Sequence, residues 1–308
     1  MHSKPDKPRE RRSTRWIGPL CVLGSAVGFS AKAIFVKLVY PYGVDAITVL
    51  ALRMLLALPF FLVLACWPRP GEEHPSRLRN RDWLAVAGLG LIGYYLSSLL
   101  DFYGLFYISA GLERLILFLY PTLVLVISAA VLRQSVSRRQ WTALAFSYAG
   151  IGLAFVHDLS LGRQEQVLLG GALVFGAALT YAVYILGSSR YIRRLGVSRF
   201  TGVAMISATA GVLTHFAQAK PWSDLQQPQA VMLPIVLMAL LGTVMPSIFL
   251  SEGLRRIGPA RTALLSSIGP VVTIGLGHAV LGEPVSLQQL AGAALVMAGV
   301  GLVTVAKR

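Results

Sequence analysis

Charged residues are scarce in this sequence. Asp, Glu, Lys and Arg make up 13% of its 308 residues and hydrophobic residues make up 55%, whereas a soluble domain averages about 25% charged residues. Apolar runs fill nearly all of the chain after residue 15, and about 20 apolar residues suffice to cross a bilayer as a helix. The composition therefore excludes an ordinary soluble domain and predicts an all-α integral membrane protein.

Cysteine is scarce too. Cys21 and Cys66 both fall inside predicted helices, so no disulfide framework is indicated, and no Cys/His spacing of the zinc-binding kind occurs. The segment "GLGLIG" at 88–93 fits the dinucleotide-binding pattern, but it lies in an apolar helix with no strand before it, and a Walker A motif is missing. We therefore expect no metal, no cofactor and no direct coupling to ATP.

Acidic residues are outnumbered by basic ones, 13 to 28, which gives a net charge of +15. A nucleic-acid-binding protein gathers such charge on one face. Here the basic residues occupy short loops and the two termini, between apolar runs. This distribution reports membrane topology, and we expect no nucleic-acid partner.

The hydrophobic runs predict ten transmembrane helices after a basic tail, residues 1–15. The tail resembles the charged part of a signal peptide, but the run after it is too long and lacks an obvious cleavage site, so we expect a retained first helix. The predicted spans are 16–39, 47–67, 83–108, 112–132, 140–156, 170–187, 200–216, 231–250, 262–281 and 287–306.

Basic residues alternate between the two sides of these ten spans. Of the 28 Lys and Arg residues, 22 lie in the N-terminal tail, in alternate loops and at the C-terminus; three lie in the opposite loops and three within helices. Positive residues stay on the cytoplasmic side. Both termini are therefore predicted to face the cytoplasm, across a bacterial inner or plasma membrane.

The sequence repeats itself after 149 residues. Segment 104–156 aligns with 253–305 without a gap and is identical at 17 of 53 positions, with Pro121 on Pro270. Each half holds five spans, an odd number, so the second half must enter the membrane from the opposite side. This is an inverted-topology repeat, an architecture typical of transporters that alternate access around a midplane site. The paired prolines are expected bend points.

These features resemble the EamA family of the drug/metabolite transporter superfamily over residues 16–306. The sharpest element is "LGEP" at 281–284, followed by a helix of small residues; the first half departs, with Arg133 and Gln134 where the family often has Gly and Glu. The resemblance implies a first five-helix repeat at 16–156 and a second at 170–306, around a polar cavity lined by the first four helices of each half. It implies a peripheral fifth and tenth helix, often at a dimer contact, and substrates such as amino acids, nucleosides or drugs, frequently moved outward.

Three charged residues lie at one depth inside the predicted membrane. Lys32, Arg53 and Asp101 each sit about two turns from the outer end of the first, second and third spans, roughly 10 Å below the boundary. Lys32 also continues a helix face of small residues, Gly24 and Gly28, so it should point inward. Buried charges need partners, and two interpretations stay open: a structural ion-pair network around Asp101, or a substrate or proton site that favours an anionic or zwitterionic solute.

Further candidates for the substrate site lie on the same or facing helices. Tyr94 and Ser98 share the face of Asp101, Tyr181 and Tyr184 follow a stripe on the sixth span, and Ser266 lies on the ninth. Packing of small residues explains these stripes equally well.

Other charges receive structural interpretations. Lys37 lies near the outer end of the first span, where a lysine can snorkel to the surface. Glu283 and Pro284 are expected to shape or cap the turn between the ninth and tenth spans. Glu113 and Arg114 fall near a helix end, where exposed or paired charge is ordinary.

The sequence thus favours a secondary transporter, acting as an exporter by alternating access, for a small organic solute such as an amino acid or related metabolite. A solute or proton gradient would drive it, and a homodimer is a further expectation. The alternatives are a membrane-embedded enzyme, for which no constellation of carboxylates, metal ligands or nucleophile recurs at helical spacing, and a lipid-handling protein. We expect no enzymatic activity.

Overall fold

The computed structural model describes residues 16–66, 79–132, 137–160 and 164–305; the predicted tail and the departing pair Arg133 and Gln134 lie outside the described residues. Within this part of the chain the regular structure is entirely helical. The helices are α1 (Ile17–Val39), α2 (Ala46–Cys66), α3 (Asn80–Gly90), α4 (Ser97–Gly104), α5 (Ala110–Leu117), α6 (Tyr120–Leu132), α7 (Arg138–Ser160), α8 (Gln164–Leu195), α9 (Val197–Ala219), α10 (Gln229–Ala239), α11 (Met245–Ser266), α12 (Gly269–Leu281) and α13 (Leu287–Val305).

The described helices group into ten spans. Eight helical segments are long and apolar enough to cross a membrane, among them the α3–α4 and α5–α6 pairs, and α12 and α13 add two shorter apolar helices. This arrangement confirms the predicted all-helical fold with ten spans.

The two halves pack as inverted copies of each other. α1 packs along α11 and α12, and its counterpart α8 packs along α4 and α6. At the C-terminal end of α1, the Tyr40 hydroxyl donates to the Phe102 carbonyl, next to the loop after α4. The N-terminal end of α8 reaches the same loop, where Gly170 packs against Tyr107 and Ile108. Equivalent helices therefore run in opposite directions.

Close helix contacts depend on small residues. Gly28 of α1 faces the Leu241 carbonyl and the ring of Pro246, leaving no space for a Cβ atom. Gly150 of α7 and Gly292 of α13 approach each other in the same way. Because the Gly28 face of α1 packs against the second half, Lys32 on that face points into the protein, as predicted.

A π-helical turn interrupts one span in each half. Leu91–Leu96 separates α3 from α4, and Leu240–Val244 separates α10 from α11. The two turns lie 149 residues apart, in register with the sequence repeat. Such turns occur frequently at functional sites because they widen a helix locally, and here Gly93 and Gly242 within them line the central cavity.

The prediction of a loop at 251–261, between the eighth and ninth spans, is wrong. α11 continues through this segment and ends at Ser266, and the next helix, α12, begins at Gly269. Glu252 and Arg256 form an ion pair at 2.5 Å with the i,i+4 spacing that supports a helix. The charged run therefore marks where the apolar part ends and not where the helix ends.

The expected bend points coincide with helix starts. Pro121 is the second residue of α6 and Pro270 the second residue of α12. A proline in the first turn of a helix gives up no intrahelical hydrogen bond. Each half is therefore interrupted just before its proline, at equivalent places.

Candidate functional site

A cavity of about 330 Å³ lies between the two halves, within the range of about 300–1,000 Å³ usual for small-molecule sites. Helices of both halves line it. All eight residues proposed from the sequence are among its lining residues: Lys32, Arg53, Tyr94, Ser98, Asp101, Tyr181, Tyr184 and Ser266.

An ion pair joins two of these residues. Lys32 Nζ lies 2.6 Å from Asp101 Oδ2, and the side chains are 14% and 2% exposed. Asp101 Oδ1 has no hydrogen-bond partner among the described residues. A charge-assisted bond this short is strong, and it explains how α1 carries a lysine at this depth.

The predicted network pairs Arg53 with Asp101, but the described hydrogen bond of Arg53 across the helices is to Ser98. Its guanidinium donates to Ser98 Oγ at 3.1 Å and lies 5.0 Å from the centre of the Phe102 ring. Lys32 Nζ lies 5.7 Å from the same ring centre. The two cations therefore flank one aromatic side chain, while the direct ion pair with Asp101 belongs to Lys32.

Sequence reasoning missed Glu113 and Arg114, which it assigned to an ordinary helix end. Glu113 is fully buried, and Arg114 lines the cavity. The reason is that the preceding loop dips into the protein, with Leu105 and Ile108 almost fully buried, so α5 begins below the surface. A charge surrounded by apolar neighbours, in "GLERLI", was the available signal.

Tyrosines form one wall of the cavity. The Tyr184 hydroxyl donates to the Tyr94 hydroxyl at 3.2 Å, and the Tyr181 and Tyr184 rings stack with centres 5.6 Å apart. Tyr120 meets Tyr181 edge to face at 5.3 Å. These contacts hold the rings in place and leave aromatic faces and hydroxyls beside the charged residues.

The two halves contribute different chemistry. The charged lining residues Lys32, Arg53, Asp101 and Arg114 all come from the first half, whereas the described lining residues of the second half, such as Tyr181, Tyr184 and Ser266, are uncharged. With three cations and one carboxylate, the described lining is net positive when ionised. Guanidinium groups bind carboxylates well, so this arrangement can hold a solute carboxylate.

A polar network ties three elements together at one end of the bundle: α1, α5 and the turn between α12 and α13. Glu283 Oε1 accepts from Lys37 Nζ at 2.8 Å and from the Ala110 backbone N–H at 3.1 Å. Lys37 therefore pairs with Glu283 and does not simply snorkel, and Glu283 caps the start of α5 as well as lying in the turn before α13. We call Lys37, Ala110 and Glu283 the Glu283 network.

Further bonds reinforce this end. The Ser109 backbone N–H and hydroxyl each donate to the Asp158 carboxylate at 2.8 Å. His157 Nε2 lies 3.3 Å from the Pro284 carbonyl. The ends of α1, α7 and α12 and the start of α5 are thus joined by direct polar contacts.

Comparisons with known proteins agree with this architecture. The EamA-like transporter family matches the chain twice, over residues 16–156 and 168–305. A Bacillus subtilis protein named uncharacterized transporter YcbK is 29% identical over 286 residues, which cover 89% of this chain and 88% of that protein. A Salmonella typhimurium protein named probable amino-acid metabolite efflux pump is 25% identical over 206 residues, covering 63% of this chain and 67% of that protein.

A solved crystal structure has the same fold. It superposes with a TM-score of 0.65 at 15% identity and covers 96% of this chain and 98% of its own. The likeness extends over both halves. With the family match across most of the sequence, the chain is an integral membrane transporter that belongs to the EamA-like transporter family.

Proposed function

We propose that this transporter moves a small organic solute through the central cavity by alternating access, in the exporting direction. The observation that supports this most is the convergence of Lys32, Arg53, Asp101 and the tyrosines on one cavity between inverted halves. Charged groups inside a membrane protein mark solute or ion paths. A cavity at the interface of inverted repeats is where such transporters bind their solutes.

The charge of the cavity favours a solute with a carboxylate. Arg53 and Arg114 are suited to a carboxylate group, and Asp101 is suited to an ammonium group. An amino acid or related zwitterion offers both. The name of the Salmonella typhimurium relative, a probable amino-acid metabolite efflux pump, points the same way.

Alternating access has structural support at both ends of the cavity. The lining reaches Ile192 and Val197, which flank the α8–α9 turn, whereas the Glu283 network joins the helices at the other end. By the positive-inside rule the α8–α9 turn, with Arg190, is cytoplasmic. We infer a cytoplasm-facing state that opens outward when the Glu283 network separates.

Three expectations accompany this proposal. Both termini face the cytoplasm; the segments 16–156 and 170–306 act as the two moving repeats; and the α7–α13 pair offers the homodimer contact that the family resemblance implies. Reporter fusions at the C-terminus test the first expectation, and crosslinking of cysteines on the outer face of α7 tests the third.

Transport by the purified protein tests the proposal. Proteoliposomes loaded with single unlabelled solutes are exposed to the labelled form, and exchange is followed for a panel of amino acids, nucleosides and cationic dyes. We expect exchange of a zwitterionic or anionic solute. Exchange of none of them, together with transbilayer movement of a labelled phospholipid, would instead support the lipid-handling alternative.

A further inference from the structure

The central cavity is lined by polar atoms that no described protein group satisfies. Four of these lining atoms are buried and make no hydrogen bond within the part of the chain that the structure describes: Ser25 Oγ, Arg53 Nε, Asp101 Oδ1 and Arg114 Nε. Arg53 as a whole is only 4% exposed. Because buried polar atoms in folded proteins are nearly always hydrogen-bonded, these four indicate which groups a bound solute must offer.

Two arginines with different neighbours have donors to spare. Arg53 of α2 donates through a terminal nitrogen to Ser98 Oγ of α4 at 3.1 Å, and its Nε is left over. Arg114 of α5 lies against Gly269, where an added Cβ atom would come within 3.2 Å of its Nη2. Neither arginine forms an ion pair with a carboxylate of the described residues. Each guanidinium can therefore take one carboxylate of a solute.

Lys32, in contrast, already has its counter-ion. Its Nζ lies 2.6 Å from Asp101 Oδ2, which leaves Asp101 Oδ1 able to accept from a solute. An ionised carboxylate only accepts hydrogen bonds, and an ammonium group is among its strongest donors. The described lining thus offers positions for two carboxylates and one ammonium group.

The charges at the cavity favour a solute that is negative overall. The described lining holds three cations, Lys32, Arg53 and Arg114, and one carboxylate, Asp101. Glu113, the fully buried residue before Arg114 in α5, adds a second carboxylate. With all five groups ionised, one positive charge is in excess, and a buried charge without a counter-charge is costly. A solute with a net charge of −1 removes this excess, whereas a neutral zwitterion leaves it in place.

We propose that the transported solute is an acidic amino acid, with two carboxylates and one ammonium group; the assignment rests on the transport function proposed above. One carboxylate bonds to Arg53 and the other to Arg114, and the ammonium group bonds to Asp101 Oδ1. Ser25 Oγ supplies a further donor to a carboxylate. A neutral amino acid leaves one arginine unpaired, and a dicarboxylate without an ammonium group leaves Asp101 Oδ1 unpaired, so both bind less tightly.

Calorimetric binding to the full chain in nanodiscs tests the solute class without transport. The probes are glutamate and aspartate, their neutral amides glutamine and asparagine, and the dicarboxylates glutarate and succinate. We expect one of the acidic amino acids to bind at least about tenfold more tightly than its amide and its dicarboxylate, since each comparison removes one charge-assisted bond. Equal or tighter binding of the amides or of the dicarboxylates overturns the proposal, and so does binding of none of the six.

Substitution of one arginine should change selectivity, which a loss of folded protein alone does not do. R53Q and R114Q each remove one carboxylate position, so the preference for the acidic amino acid over its amide should fall to nearly one. R139Q, at an exposed position on α7, should keep the wild-type preference. A preference that stays at the wild-type value in both R53Q and R114Q overturns the assignment. If these variants do not fold, the wild-type ratios decide.

Exchange in proteoliposomes separates this inference from the transport function. We expect labelled glutamate or aspartate to exchange in preference to its amide. Exchange of neutral amino acids without exchange of either acidic one overturns the solute class alone. Selective binding of an acidic amino acid in nanodiscs, without exchange of any solute in proteoliposomes, overturns the transport function alone.

Discussion

Lys32 Nζ and Asp101 Oδ2 lie 2.6 Å apart, on helices that meet beside the central cavity. The lysine is on the helix that packs against the second half, and the aspartate follows the π-helical turn of the first half. The pair thus joins the surface between the repeats to the segment where the helix geometry departs from regular α. Experiments on variants of these two residues distinguish a structural role of the ion pair from a functional one.

Replacing one member of this pair should destabilise the protein and stop transport. Removal of one partner from a buried ion pair costs about 3–5 kcal/mol because the other charge is left unpaired. We therefore expect K32M and D101N each to lower the melting temperature in detergent, and to abolish solute exchange in proteoliposomes.

The double variant K32M/D101N is the matched control. Because it leaves neither charge of the ion pair, it should recover most of the lost stability, yet it should remain inactive in exchange. If the double variant exchanges solute as fast as the wild type, the pair is only structural and the functional interpretation is wrong.

Loss of the Glu283 carboxylate should loosen one end of the bundle. E283Q weakens the bonds to Lys37 and to the Ala110 N–H, so we expect faster backbone hydrogen exchange in 108–114 and 281–287, measured by mass spectrometry. Exchange around the α8–α9 turn should not change, and E165Q should resemble the wild type throughout. Unchanged exchange at both segments in E283Q would show that this network does not hold the end closed.

Acid should weaken the ion pair between Asp45, just before α2, and Lys220, just after α9. Partial burial alone would raise the pKa of Asp45, but the bond from Lys220 at 2.9 Å and the backbone and hydroxyl donors of Thr48 lower it overall. A lowered pKa in the folded state contributes stability above the unfolded value, about 3.9, and this contribution is lost as the pH falls through the folded value.

Melting curves of wild type and D45N at a series of pH values check this. The wild type should be the more stable at neutral pH, and the two curves should converge in acid. Melting temperatures that differ by a constant amount at every pH would contradict the assignment.

The ring of Tyr184 is expected to matter more to the solute than its hydroxyl. Y184F keeps the stack with Tyr181 and loses only the bond to Tyr94. Y184A loses the ring, and aromatic contacts are worth about 0.5–1.5 kcal/mol, so we expect KM to rise roughly two- to tenfold. Y148A, at an exposed position on α7, is the control. Equal KM values for Y184A and the wild type would show that the ring of Tyr184 does not contribute to binding of the solute.

The sequence was sufficient to predict the number of spans and the inversion of the two halves, because apolar length and the 149-residue repeat are visible in it, but it misplaced the end of α11. It was also sufficient to predict which face of α1 points inward, since Gly24 and Gly28 precede Lys32 at helical spacing. The eight candidate residues do line one cavity. Depth below the outer membrane boundary was enough to select Lys32, Arg53 and Asp101. It could not show whether Arg53 bonds to Asp101 or, as observed, to Ser98.

What the sequence could not predict depends on packing between distant segments. Glu113 is buried because the loop before α5 dips inward, and Lys37 meets Glu283 across 246 positions of sequence. Likewise, the π-helical turns at Leu91–Leu96 and Leu240–Val244 are contacted by α8 and α1, which are distant from them in the sequence. None of these leaves a periodic pattern in the local sequence.

The central claim of the proposed transport function is that the cavity opens alternately to each side of the membrane. A single cysteine at Ser98, in a chain with Cys21 and Cys66 replaced by serine, should react with a membrane-impermeant thiol reagent both in right-side-out and in inside-out vesicles. An excess of the transported solute should slow both reactions. Labelling from one side only, at every solute concentration, would contradict alternating access through this cavity.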